Sequence, residues 1–213
     1  MVKSCGGLPL SIVVLAGLLV KKGKSLGEWS NVVRHVNSYL TQYETKFKDI
    51  VLKLSYDNLP SILKSCFLYF GMYPEDFEIP VRSLLQKWVA EGFIQQTETE
   101  TIDAEDVAKD YLYELIDRSL IQASRVNHNG DVKACRIHDL LRDLCISKAK
   151  EYKLFEVCTN SSILERSKPR RLSIQCSMDG YVSSSNNDHS CVRSLFCFDR
   201  RHSYNSSEWK WLF

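Results

Sequence analysis

Scarcity says more about this chain of 213 residues than abundance does. Nine glycines and five prolines are too few for a collagen-like or low-complexity chain. Charge nearly cancels: 28 Lys and Arg against 26 Asp and Glu leave a formal +2, so no one-signed field gathers nucleic acid or anionic lipid over the whole surface. The longest apolar run, Leu8 to Val20, falls short of the ~20 residues a bilayer requires. Eight cysteines form no C-x-x-C pair, and most, such as Cys66 and Cys145, sit inside apolar runs. That is the pattern of small buried thiols in a reducing cell. What remains is ordinary globular composition, 44% hydrophobic and 25% charged, sufficient for one or two cores.

Two features near the N-terminus suggest stronger readings. Lys3 ahead of the apolar run resembles a secretory signal, in which case Asn160 and Asn205, each followed by two serines, would accept glycans and the cysteines would pair. Against it, Lys21 and Lys22 stand where a signal carries small residues for cleavage. The stretch Gly17 to Ser25 is one residue off a phosphate-binding loop. Five residues instead of four separate Gly17 from Gly23, so successive N–H groups would not converge on a phosphate. The expectation is a lysine-rich turn after a helix.

Periodicity and punctuation divide the chain further. Leu8 to Val20 reads as a buried helix with Pro9 in its first turn. Gly27 to Leu40 carries Trp29, Val32, Val33, Val36 and Leu40 at helical spacing. Phe47 to Leu54 is another short helix. Pro60 starts a helix with Ile62, Leu63, Cys66, Phe67 and Phe70, which Gly71 is expected to close. Pro80 starts the next, with Val81, Leu84, Leu85, Trp88 and Val89 in one stripe and Gly92 as the stop. A third begins near Thr101 or Asp103, ends at Arg118, and is expected to bury Val107, Tyr111, Leu112, Leu115 and Ile116.

Leu120 to Val126 and Val132 to Ile137 are β-prone runs joined through Asn129-Gly130, a hairpin signal. A helix from Asp139 to about Lys150 follows, with Leu140, Leu141, Leu144 and Cys145 inward. Three helices and a hairpin describe a winged helix. Beyond Glu151, Arg171 to Ile174 and Ser194 to Cys197 are apolar strings 23 residues apart, within the leucine-rich-repeat period of ~20–29.

Four stretches then acquire weight from their order: Gly7-Leu8-Pro9-Leu10, Leu63 to Tyr69, Tyr73-Pro74-Glu75-Asp76 and Ile137-His138-Asp139. Together they resemble the back half of the nucleotide-binding (NB-ARC) module in plant leucine-rich-repeat disease-resistance proteins, closest to the coiled-coil class. The resemblance implies a mainly α chain in three parts. Residues 1–44 would end the helical subdomain, 45–151 would be the winged-helix subdomain with the motif at 137–139, and 152–213 a linker and first repeat units of an α/β solenoid. In that family the proline matching Pro9 packs against adenine, and the histidine matching His138 meets the β-phosphate of ADP and latches the off state. Asp139 would be regulatory, and its replacement by valine is expected to weaken the closed state. Isoleucine at 137 replaces the family's methionine, a volume-conserving change.

The resemblance implies a cytoplasmic ADP/ATP switch in defence against pathogens, not an enzyme. Its partners would be other receptor domains or chains and, indirectly, a pathogen effector or guarded host protein. Without a phosphate-binding loop, the chain is expected to bind no nucleotide alone. A short decoy or adaptor that pairs with complete receptors is the nucleotide-independent alternative, and a DNA-binding winged helix is the other. Against DNA stand six acids between Asp103 and Arg118, since an acidic helix ahead of the wing is repelled by phosphate. Cys135, His138 and Cys145 lack metal-ligand spacing, so no metal is expected. No catalytic set has a recognisable motif.

Overall fold

The computed structural model describes residues 9–21, 25–32, 34, 47–95, 103–159, 169–176 and 191–198. Gly7, Leu8, Gly23, Val33, Val36, Leu40, Thr101, Asn160 and Asn205, named above, lie outside them. The chain divides into two compact units, the first holding residues up to Phe67 and Asp76–Leu144, the second Leu68–Glu75 and the chain from Cys145 onward.

The first unit opens with α1 (Pro9–Lys21), which buries Leu10, Val14, Leu15, Gly17 and Leu18 along one face. Gly17 is therefore a packing residue inside a helix and belongs to no loop. A Cβ there would collide with the carbonyl oxygen of Arg118, so its absence lets α1 press against that backbone. Lys21 at the end of α1 donates to Glu114 at 2.6 Å and lies 3.5 Å from Asp117. A short helical segment α2 (26–32) follows, with Val32 buried and Trp29 39% exposed. Helix α3 (Phe47–Asp57) packs on α1 and buries Val51, Leu52, Leu54 and Tyr56.

Helices α4 (Ser61–Tyr69), α5 (Val81–Ala90) and α6 (Ala104–Asp117) follow the sequence punctuation. Pro80 is the N-cap residue of α5, and Asp103 caps α6 by accepting from the Glu105 N–H. Helices α5 and α6 end in the same motif. The N–H of Gly92 bonds to Val89 and that of Phe93 to Trp88; Ser119 and Leu120 repeat this on Ile116 and Leu115. Gly92 and Ser119 are the left-handed residues, with φ of 72° and 59°. On α6 the innermost positions are Ala104, Ala108, Leu112 and Leu115, while Val107, Tyr111 and Ile116 are half-buried. Helices α5 and α6 pack on each other, and two of the buried positions of α6 are small alanines at i and i+4, which a search for large apolar residues overlooks.

Strands β2 (Gln122–Val126) and β3 (Val132–Arg136) form the expected antiparallel hairpin. Residues 127–131 make the turn, with Gly130 at φ 85° and its N–H on the Asn127 carbonyl. Asn127 organises it: its side-chain oxygen accepts from the N–H of Asn129 and Asp131, at 3.1 and 2.7 Å. A third strand, β1 (Ile79–Pro80), pairs with β3 and gives the order β1-β3-β2. Proline is tolerated in β1 because the strand is an edge.

Helix α7 (Asp139–Glu151) starts in the first unit and finishes in the second, where Lys153 at φ 53° ends it as Ser119 ends α6. The second unit contains a parallel sheet, β4 (Glu156–Cys158), β5 (Arg171–Ile174) and β6 (Ser194–Cys197), in that order. Strands β5 and β6 are the two strings noted in the sequence, paired residue for residue at an offset of 23. Side chains alternate between the two faces of the sheet. On one, Cys158, Leu172 and Ile174 pack with Cys176, Val192 and Leu195. From the other, Ser173 Oγ and Gln175 Nε2 donate to the Met72 carbonyl at 2.6 and 3.1 Å, and Phe196 meets the rings of Tyr69 and Tyr73 edge-on.

Gly71 does not close α4. It sits in a 3-10 turn, Phe70–Met72, where a Cβ would lie 2.8 Å from the Phe155 ring and 3.0 Å from Cys145 Cβ. Close approach, not a left-handed turn, is why glycine stands there.

Candidate nucleotide-facing site at the start of α7

The chain leaves the central strand β3 through Ile137, which is buried and anchors the exit. His138 is then the residue at which α7 begins. Its carbonyl accepts the Leu141 and Arg142 N–H groups at 2.9 Å each, and its Nδ1 accepts the Leu140 N–H at 3.3 Å. An imidazole nitrogen that accepts a hydrogen bond carries no proton, so the ring's N–H is at Nε2. His138 is half-buried, and a helix start of this kind attracts anions through its N–H groups and dipole. Asp139 follows, exposed in the first turn, where its charge favours the helix by about 0.3–1 kcal/mol.

Pro9, the other expected contact, is the first residue of α1 and is exposed. Among the described residues no hydrogen bond or ion pair joins Pro9 to His138. The motif reading passed over Arg142. Its position four residues on from His138 sets it one turn along the same side of α7, and it is buried. The capping role of Nδ1 depends on ring orientation, for which the sequence carries no signal.

A cleft of about 290 Å³ lies between α1 and the end of α6, lined by Leu18, Lys21, Glu28, Asn58 and Arg118. Its cations are already engaged: Lys21 and Arg118 both bond to Glu114, at 2.6 and 2.8 Å. Burial raises the Glu114 carboxyl, but hydrogen bonds from Lys21 and Arg118 outweigh it and hold the group below its ordinary value. The Glu114 hydrogen bond in turn raises Lys21. The cleft is therefore a self-neutralised joint that offers no surplus positive charge to an anion.

Other chemistries find little support. Burial pushes the Cys66 and Cys135 thiols up to about 12, so neither supplies a thiolate near neutral pH. Among the described residues no three His, Cys, Asp or Glu side chains cluster for a metal, and no helix is long and apolar enough to cross a membrane. Asp103, Glu105, Asp106, Asp110 and Asp117 of the α6 region are exposed, and Lys109 is paired with Asp131 at 3.1 Å. Such a surface opposes a DNA backbone.

Helices α4 to α6 with a three-stranded antiparallel wing define a winged helix. The sequence model described as "Disease resistance protein Winged helix domain" matches residues 72–145. Over 157 residues, 74% of the chain, it is 50% identical to RPP13-like protein 3 of Arabidopsis thaliana, and it is 48% identical over the same length to Disease resistance protein RPP13 of that plant. ToMV resistance protein Tm-2(2) of Solanum lycopersicum is 43% identical over 151 residues, or 71% of the chain. The chain belongs to the plant disease-resistance protein family. It spans 17–18% of the length of these relatives.

Proposed function

We propose that this chain supplies the winged-helix part of an intracellular plant immune receptor of the NB-ARC, leucine-rich-repeat type, which switches between ADP- and ATP-bound states during defence. The observation that carries the reading is His138: Nδ1 is committed to the start of α7, so Nε2–H is the ring donor left to face a phosphate oxygen. A bound nucleoside diphosphate supplies the anion. The protein's part is to hold one N–H at a helix start and, at Pro9, to offer an apolar ring to the base. A charge-assisted hydrogen bond of this kind contributes about 1.5–3 kcal/mol, which biases a two-state element by ~10–150-fold. The receptor is thus a switch and not an enzyme, and its cytoplasmic location and receptor partners follow from the same reading. The in-register pairing of β5 and β6 supports a leucine-rich-repeat start in the second unit.

Val13, Val20 and Leu26 are 51, 74 and 85% exposed, which favours the second reading, a nucleotide-independent adaptor that pairs with complete receptors. The test uses a chain extended to include a phosphate-binding loop, with ADP release followed by a fluorescent analogue. His138→Asn keeps a good helix-capping residue but removes the imidazole. It is expected to release ADP at least about tenfold faster. Release at the wild-type rate from both His138→Asn and Asp139→Val would sink the latch and leave the adaptor standing.

A further inference from the structure

We propose that Cys158 and Cys176 form a reversible oxidative cross-link site that staples β4 to β5 in the presence of a peroxide oxidant. Their sulfurs lie 3.7 Å apart within the second unit. Cys158 ends β4 opposite Ile174, and the Gln175 N–H continues the ladder onto the Cys158 carbonyl at 2.8 Å. Cys176 is two residues past the last strand position of β5, where the backbone is no longer held in the ladder and can yield. A disulfide needs the sulfurs at about 2.05 Å, so the pair must close by less than ~2 Å. Both cysteines belong to one apolar cluster with Leu172 and Ile174.

The accessible sulfur reacts first. Cys158 is 6% exposed whereas Cys176 is half-buried, so the peroxide meets Cys176. The Cys176 thiolate attacks one peroxide oxygen, the O–O bond breaks, and a sulfenic acid and hydroxide result. Cys158 then gives up its proton and attacks the Cys176 sulfur; the S–O bond breaks and water leaves. In sum, two thiols and one hydrogen peroxide become one disulfide and two waters. Burial raises the Cys158 thiol to about 11, which makes it poor as the first nucleophile; its contact with the Cys176 sulfur at 3.7 Å is what places it for the resolving step. Reduced glutathione reverses the bond by thiol exchange.

The test treats the whole chain with hydrogen peroxide, alkylates it with iodoacetamide, and maps the peptides by mass spectrometry. Expected is a linked peptide pair joining Cys158 to Cys176, two fewer alkylated cysteines, and recovery of both after reduced glutathione. Cys191 and Cys197 are exposed competitors, so the doubly substituted Cys191→Ser, Cys197→Ser chain should cross-link unchanged. Cys176→Ser should abolish the link. Amides of β4 should exchange more slowly in the oxidised protein. Pairing of Cys176 with Cys191 or Cys197, links only between chains, over-oxidised Cys176 beside alkylatable Cys158, or no loss of alkylation would each overturn the proposal.

Discussion

Replacing Gly17 by alanine isolates how α1 is held on the first unit. A Cβ at this position would lie 2.7 Å from the Arg118 carbonyl carbon and 3.2 Å from its Cα, with the carbonyl oxygen closer still. These are backbone atoms at the end of α6 and cannot swing aside, so α1 must retreat toward ordinary contact at ~3.5–4.0 Å. Overpacking of this kind costs about 1–3 kcal/mol, whereas alanine gains about 1 kcal/mol over glycine in a helix interior. The net is a loss of up to ~2 kcal/mol. Gly27, at the start of α2, is the control: its added Cβ would meet only Ser25 Oγ, at 3.6 Å, so Gly27→Ala adds no clash. Hydrogen exchange of the α1 amides is the assay, beside thermal unfolding by circular dichroism, since it reads local as well as global opening. Gly17→Ala should speed α1 exchange relative to the Gly27→Ala chain by up to about thirtyfold. Equal protection in the two variants would refute the seating of α1 against Arg118.

Burial lowers the Lys87 ammonium from 10.5 to about 8 on α5. The unfolded chain therefore binds more protons between those values, and stability should rise as pH climbs from about 8 to 10.5, by at most ~3 kcal/mol. Lys87→Met should raise the unfolding midpoint at pH 7 and flatten that rise; an unchanged pH profile would count against burial of the charge. Ser119 holds a left-handed φ of 59° at the end of α6. Ser119→Gly relieves it and should stabilise by roughly 0.5–1 kcal/mol in urea unfolding, whereas destabilisation would show that the side chain is needed.

Several elements were legible without coordinates because one residue type dictates each of them. Pro80 and Asp103 mark helix starts through a missing donor and a side-chain acceptor. Gly92 marks a left-handed stop, and Asn129-Gly130 marks a hairpin. The two apolar strings were legible as a pair offset by 23 residues, and that offset is the register of β5 on β6. The helix-start position of His138 was equally readable, since a β run gives way there to a helical pattern.

Tertiary structure alone decided what depends on who comes close to whom. Gly17 and Gly71 are where they are because neighbouring atoms leave no room for a Cβ. Ala104 and Ala108 share the buried stripe of α6 with Leu112 and Leu115, whereas Val107, Tyr111 and Ile116 do not. Residues Leu68–Glu75 join the second unit, where Ser173 and Gln175 satisfy the Met72 carbonyl more than a hundred residues away in the chain. The orientation of the His138 ring and the contact between Cys158 and Cys176 belong to the same class. Local chemistry sets where elements begin and end, but contact across long chain separations sets which face is buried and which atoms meet.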